Sequence, residues 1–352
     1  MTQPRRPDTG PRSRGDGLTV AVTGPTGDIG KPLVRALERS RSIARVIGMA
    51  RRPFDPAEHG WRRTEYRRGD VLDRDSVEAL VADADVVVHL AFVIMGGLEE
   101  TRGVNLEGSR NVFEAAIQAP RVRRLVYASS VAAYGFHEDA PQPLTEDSPP
   151  RGTDTFYYSA QKAELENLLS ELSKGSRVEA YVFRPSIVAG PESLLLIENI
   201  PYVSLAGRLP RAVRALFAVV PALKPVIPDP GVEFQLVHAD DVAAAMRAAV
   251  QGRGEPGVYN LAADGRLTMS DVAEALGWYA IPVPELAVDA GAGLAARLPF
   301  LPPEAAWLQV FRTPVIMDAS RAKRHLGWRP RHDARQTLAE TVAGARDQQL
   351  LG

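Results

Sequence analysis

The stretch Leu18 to Gly30, Leu-Thr-Val-Ala-Val-Thr-Gly-Pro-Thr-Gly-Asp-Ile-Gly, leaves few folds open to this chain. An apolar, β-branched run leads straight into Gly24, Gly27 and Gly30, and helical spacing begins at about Ile29. That order reads as a strand, a tight turn and a helix start. Glycine serves first where the chain reverses, next where backbone must approach a bound group, and last where the helix packs on the strand. The open amides of a helix start suit a pyrophosphate. A glycine-spaced turn alone is as often structural as it is a nucleotide site. Its place on the first strand of an alternating pattern points this one to a dinucleotide.

The alternation continues. Lys31 to Arg39 carries Leu33, Val34 and Leu37 at helical spacing, and Ala44 to Met49 reads as a second strand. Glu65 to Val71 is a third strand and Asp75 to Val81 a short helix. Asp85 to Leu90 is a fourth strand, apolar enough to be buried on both faces. A helix over about Leu98 to Gln118 contains Asn105, and a fifth strand spans Arg123 to Ala128. Strand and helix in strict succession give an α/β fold, a doubly wound parallel sheet of Rossmann type. The length, 352 residues, leaves room for a smaller C-terminal substrate lobe. The expected division is a disordered tail over 1–17, a nucleotide-binding domain over 18–191, and a substrate lobe over most of 192–352, with 231–262 returning to the first domain.

Charge and composition exclude several classes of function. Lys and Arg total 42 against 43 acidic residues, so no overall charge draws the chain to nucleic acid or an anionic membrane. The absence of cysteine removes disulfides, thiolate metal sites and a cysteine nucleophile, and fits a reducing cytoplasm. No run approaches the roughly 20 apolar residues that cross a bilayer. Leu216 to Leu223, interrupted by Pro221, reads as a buried wall or an exposed flap.

Three places carry candidate chemistry. After the second strand, where an NAD site usually has an acidic side chain for the ribose, the chain has Arg51 and Arg52. A guanidinium pairs with a phosphate dianion, which favours NADP while leaving NAD open. The fifth strand ends in Ser129-Ser130, at the carboxyl edge where open α/β sheets hold their ligands. A helix from about Asp154 to Ser173 then places Tyr158 and Lys162 on one face. A phenol of ordinary pKa is a poor base at neutral pH, and a nearby ammonium should bring it toward the working range. Aromatic packing, with Tyr157 alongside, is the structural alternative for this pair. His238 with Asp240 and Asp241 reads as a helix cap and backbone anchor in preference to a metal site.

These pieces, in order, resemble the extended, epimerase/dehydratase-like branch of the short-chain dehydrogenase/reductase superfamily. The resemblance rests on Thr23 to Gly30, Gly69-Asp70-Val71, His89-Leu90-Ala91, Asn105, Ser129-Ser130 with Tyr134-Gly135, Tyr158 with Lys162, Arg184 to Pro191, Val237 to Val242 and Leu326-Gly327-Trp328. It implies that Tyr158 gives or takes the proton, that Lys162 also binds the nicotinamide ribose, and that Ser130 polarises the substrate oxygen. It further implies that Gly24, Thr26, Gly27, Asp28, Ile29 and Gly30 cradle the cofactor. Asp70 and Val71 would lie by the adenine, Leu90 and Ala91 beneath the cofactor, and Pro185 against the nicotinamide, with Asn105 supporting the site. Relatives often pair through the helices of Asn105 and Tyr158, so a homodimer is expected by analogy.

Substrate choice is less constrained. Nucleotide-sugar members usually place an arginine four residues before the histidine of the later strand, where this chain has Phe234. Leu194-Leu195-Leu196, Ile200, Val203, Leu216, Phe217, Val219 and Val220 make the lobe apolar, with Arg208, Arg211 and Arg214 interspersed. The expected activity is hydride transfer at a secondary alcohol or ketone of an apolar or ring-bearing small molecule. A nucleotide-sugar epimerase or dehydratase is the alternative, and a non-catalytic NAD(P)-sensing protein is the alternative of another class.

Overall fold

The computed structural model describes residues 17–94, 101–200, 202–203, 224–283 and 313–351. The expectations for the N-terminal tail, for Leu216 to Leu223 and for Arg208, Arg211 and Arg214 lie outside those residues. In chain order the strands are β1 (Leu18–Thr23), β2 (Ile43–Ala50), β3 (Thr64–Arg68), β4 (Val86–His89), β5 (Arg124–Ala128), β6 (Glu179–Pro185), β7 (Ile187–Ala189), β8 (Val226–Asp229), β9 (Leu236–His238), β10 (Gly257–Leu261) and β11 (Tyr279–Pro282). The helices are α1 (Gly30–Glu38), α2 (Arg74–Ala82), α3 (Gly108–Gln118), α4 (Tyr157–Ser173), α5 (Leu195–Glu198), α6 (Ala239–Val250), α7 (Met269–Leu276), α8 (Ser320–His325) and α9 (Ala334–Asp347).

Seven strands form one sheet in the order β10-β6-β5-β4-β1-β2-β3, every pair parallel. The order reverses between β1 and β4, which opens a crevice at their carboxyl ends. Val86, Val87 and Val88 are fully buried because helices cover both faces of the sheet. One face packs Leu33, Val34 and Leu37 of α1 with Val242 and Met246 of α6. The other packs Val77 and Leu80 of α2, Phe113 of α3 and Leu165 of α4. A third core, including Ile197, Leu236, Val272 and Leu338, belongs to the smaller lobe.

Residues 231–262 divide their pairing. β10 joins β6 in the main sheet, whereas β9 pairs with β7 in a separate two-stranded ladder. His238 closes β9 and accepts the Asp240 N–H on Nδ1 at 3.1 Å, so it caps α6. Asp241 accepts the backbone N–H groups of Arg331 and His332, and its carbonyl takes the indole N–H of Trp328. Those bonds tie the C-terminal segment to the main domain.

Several boundaries differ from the sequence expectation for identifiable reasons. β3 stops at Arg68, because the Asp70 carboxylate takes the Leu72 N–H at 3.1 Å and turns the chain out of the ladder. α4 starts at Tyr157, three residues late, because a turn from Thr153 to Phe156 precedes it. The helix bearing Asn105 contains a π-helical turn over Gly103–Glu107, a feature that periodicity cannot signal. Ser270 lies inside α7. Thr268 holds the extended cap position, with Asp271 reaching back to its N–H at 2.8 Å, while the Ser270 hydroxyl donates to Asp229.

Candidate active site

The glycine loop lies at the mouth of the crevice. Gly24 adopts φ +70°, and a Cβ there would meet the Ala91 backbone at 3.0 Å. A Cβ at Gly30 would collide with the Gly24 carbonyl and Pro25, so only glycine lets α1 start this close to β1. No side chain caps α1 and its first turn holds no acidic residue; the Gly27 N–H is taken by the Gly24 carbonyl at 3.3 Å, which leaves the amides of Asp28, Ile29 and Gly30 to face a ligand. Pro25 is buried and Thr26 half-buried beside them. A dinucleotide phosphate fits this cradle.

The opposite wall of the crevice follows β4. The Thr23 hydroxyl lies 2.8 Å from His89 Nδ1, and His89 Nε2 lies 2.9 Å from the Ser109 hydroxyl. Burial and the charge of Lys162 push the His89 imidazole down to about 3, so it is neutral. Thr23 Oγ1 also accepts the N–H groups of Leu90 and Ala91 at 3.2 Å, which fixes this segment against the glycine loop. Asn105 extends the brace. Its amide pairs with both backbone groups of Val93, at 2.8 and 2.9 Å, and donates to Gln161 Oε1 at 2.8 Å, joining the wall to α4. Asp70 and Val71 sit in the turn after β3, with Val71 packed against Gly108. Arg51 and Arg52 are exposed just past β2, and Pro185 is buried at the end of β6 beside Leu261.

Ser130, Tyr158 and Lys162 meet where β5 ends. Ser130 is in extended conformation and accepts the Ala132 N–H at 3.1 Å. Lys162 is buried and donates to the Ala128 carbonyl at 2.8 Å, with the Tyr127 hydroxyl at 3.4 Å. Its ammonium lies 3.8 Å from the centroid of Phe92, and the Phe92 ring stands edge-on to Tyr158 at 5.5 Å. The expected acidifying effect of Lys162 on Tyr158 is absent from this arrangement. Loss of hydration pushes the Tyr158 phenol up to about 12, and the influence that lowers it is a hydrogen bond with Ser130. The ammonium is turned toward Ala128 and Phe92, and sits 5.9 Å from the Tyr158 ring centroid. Burial lowers Lys162 itself to about 7, against an opposing contribution from Glu166.

That depressed value has a consequence for stability. Between about pH 7 and 10.5 the unfolded chain holds the lysine proton more tightly than the folded one, so stability from this group rises with pH. Below pH 7 the buried charge is carried in full, a penalty of roughly 4 to 5 kcal/mol. Lys162→Met should stabilise the protein below pH 7 by roughly 2 to 4 kcal/mol, after the lost hydrogen bond and ring contact are counted. Urea unfolding at pH 6, 8 and 10 checks this. A gain of the same size at all three would show that the charge is not its origin.

The sequence reading missed three supports. Glu166, one turn beyond Lys162, is buried with Arg184 in a bidentate pair, 2.6 Å at the shortest contact. The Ser129 hydroxyl donates to the same carboxylate at 2.5 Å, fastening the end of β5 to α4. Glu166 was legible as the third member of a four-residue series after Tyr158 and Lys162. Phe92 carried no such signal. His89, the third, was quoted only as part of a motif. Of the apolar lobe residues that favoured an apolar substrate, Leu194, Leu196, Ile200 and Val203 are buried in the lobe's own core.

His238, His332 and Glu340 also gather ligating atoms within 4.8 Å of one another. Because His238 Nδ1 accepts a backbone N–H, its Nε2 carries the proton, and that atom lies 3.2 Å from Glu340. The two rings stack with their centroids 3.9 Å apart. The Nδ1 side of His238 anchors α6 and His332 Nδ1 lies 2.9 Å from Asp241, whereas His238 Nε2 is buried and makes no hydrogen bond among the described residues.

The fold and crevice define a dinucleotide-binding protein of the extended short-chain dehydrogenase/reductase type. The chain belongs to the NAD-dependent epimerase/dehydratase family, whose model matches residues 20–262. An uncharacterised protein of Mycobacterium tuberculosis is 26% identical over 321 residues, 89% of this chain and 80% of its own. A 3β-hydroxysteroid dehydrogenase/decarboxylase of Arabidopsis thaliana is 30% identical over 150 residues, 42% of this chain and 34% of its own. Among solved structures, UDP-glucose 4-epimerase of Thermotoga maritima superimposes with a TM-score of 0.69 at 22% identity, over 94% of this chain and 100% of that one. The enzyme WbmG of Bordetella bronchiseptica, solved with NAD, gives 0.69 at 21% identity, over 96% of each chain. No helix among the described residues is long and apolar enough to cross a membrane.

Proposed function

We propose that this protein is an NAD(P)-dependent oxidoreductase that transfers hydride at a secondary alcohol or ketone of an apolar or ring-bearing substrate. The observation that carries the reading is the convergence of Ser130, Tyr158 and Lys162 at the end of β5, beside a crevice whose glycines admit a dinucleotide. The nicotinamide would supply or accept the hydride. Ser130 holds the substrate oxygen, and Tyr158 passes the proton to it or takes the proton from it. Lys162 binds the ribose and, once turned toward Tyr158, lowers the phenol from its buried value. Asn105 and Thr23 keep the wall beside them in place.

Two observations support an apolar substrate. Phe234 is buried in the lobe core at the position expected to carry a diphosphate-binding arginine, and the aromatic face of Phe92 borders Tyr158. The partial likeness to a 3β-hydroxysteroid enzyme agrees with them. A nucleotide-sugar epimerase or dehydratase is the second reading, favoured by the whole-length structural likeness to UDP-glucose 4-epimerase. The deciding experiment is a nucleotide titration followed by turnover assays on steroid-like ketones and alcohols and on UDP- and dTDP-sugars. Turnover of the ring ketones supports the proposal, and turnover of the sugars alone replaces it with the second reading. Tight nucleotide binding with no turnover of any of them would favour a cofactor-sensing protein.

NADP is the proposed partner over NAD, because Arg51 is free to meet a 2′-phosphate beyond β2. Arg51→Ala should weaken NADPH binding about tenfold or more, the size of a charge-assisted hydrogen bond, and leave NADH within about twofold. Equal losses for the two nucleotides in a fluorescence titration would remove the phosphate assignment.

A further inference from the structure

Lys162 has three N–H groups to place. Two directions are taken by protein oxygens, the Ala128 carbonyl at 2.8 Å and the Tyr127 hydroxyl at 3.4 Å. On its remaining side the ammonium meets the face of Phe92, 3.8 Å from the ring centroid, well inside the range of a cation–π contact. Phe92 is only half-buried and follows Ala91, the last residue that Thr23 pins to the glycine loop. Its backbone is therefore fixed on one side by Thr23 and on the other by the Asn105 clasp on Val93, while the side chain is left half-buried.

We propose that Phe92 is a positioning residue that clamps the Lys162 ammonium and competes with the nucleotide ribose for it. The inference rests on the proposed role of Lys162 as a ribose ligand. A ribose hydroxyl can accept from the remaining N–H only if the ring yields its place. The same displacement frees the ammonium to approach Tyr158, so nucleotide binding and the acidity of the phenol are linked through one ring. A purely structural phenylalanine would fill space beside Tyr158 and leave both properties alone.

The test separates shape from π character in the full-length protein. Phe92→Leu keeps an apolar side chain and removes the ring face, whereas Phe92→Tyr keeps the face. Proton NMR of the lysine ε-methylenes needs no cofactor. The Lys162 resonance should be displaced upfield by the ring current in the wild type and in Phe92→Tyr, and should return to the ordinary lysine position in Phe92→Leu. NADPH and NADH titrations should then show Phe92→Leu binding about three- to tenfold tighter, the range of a desolvated cation–π contact released to the ligand, and Phe92→Tyr within about twofold of wild type. Saturating nucleotide should abolish the upfield displacement in the wild type.

An undisplaced Lys162 resonance in the wild-type protein overturns the clamp. A displaced resonance with equal affinities in wild type and Phe92→Leu, or a weaker Phe92→Leu, overturns the competition. If the wild type binds neither nucleotide, the functional reading fails, and the NMR comparison of wild type with Phe92→Leu still decides whether the clamp exists.

Discussion

Tyr158→Phe should reduce turnover by about 10²- to 10⁴-fold, the usual contribution of a positioned acid or base, and leave nucleotide affinity within about twofold. The hydroxyl is the only atom removed, and the ring keeps its edge-on contact with Phe92 and its packing on Phe156. Because the loss is one of proton transfer, it should appear in kcat with little change in KM. The pH profile gives a second reading. In the arrangement described, the phenol is held near 12 and Lys162 near 7. A working relay needs the ammonium charged and turned to the phenol, and the phenol must be deprotonated to take the alcohol's proton, so the acidic limb of the oxidation rate should report a group well below 12 in the loaded enzyme. Tyr158→Phe should remove that limb from the residual rate. Retention of full turnover would end the proposal that this phenol handles the proton.

The second large effect is on folding. Glu166→Ala should cost about 3 to 5 kcal/mol, because it leaves the Arg184 guanidinium buried without its counter-charge. Arg184 and Glu166 side chains are only 2% and 4% exposed, so water cannot replace the lost partner. Arg184 also stacks on Tyr134, 4.3 Å from the ring centroid, and donates to the Ser148 carbonyl, which holds it in place after the carboxylate is gone. The double variant Glu166→Ala with Arg184→Met should recover most of the loss, since it removes both buried charges together. Chemical denaturation of the two single variants and the double variant measures the coupling. Additive losses would mean that the pair is not the source of the effect. Glu166→Gln is the milder probe. It keeps an acceptor for Ser129 while removing the charge that supports the Lys162 ammonium, so the lysine should titrate lower still.

The main domain was readable in the residues because its signals are local. Glycine at positions 24 and 30 answers a steric demand visible in a single turn. The unbroken valines of β4 follow from burial on both faces, and Tyr158 and Lys162 share a face because a helix repeats every 3.6 residues. What escaped the sequence depends on contacts distant in the chain. The π turn that presents Asn105 answers to Val93 and Gln161, neither of which constrains it in sequence. The Ser270 hydroxyl bonds Asp229, 41 residues earlier, a partner that no local pattern announces. The apolar lobe residues favoured an apolar substrate in the sequence because composition does not distinguish a core from a pocket lining. The expected acidification of Tyr158 failed for a similar reason: four-residue spacing puts two groups on one face without fixing where a flexible ammonium points.

The pairing of β10 with β6 has a bearing on how this protein is made. Residues 257–261 complete the sheet that residue 18 begins, and Trp328 is buried in the same core as Val20 and Leu33. A ribosome that has released only the first 191 residues would present β6 as a naked border, open to association with a neighbouring chain. The first 191 residues therefore lack one strand of the seven-stranded sheet. Its last strand arrives only after residues 192–256 have been synthesised, while α7, β11 and α9 of the smaller lobe are still to come.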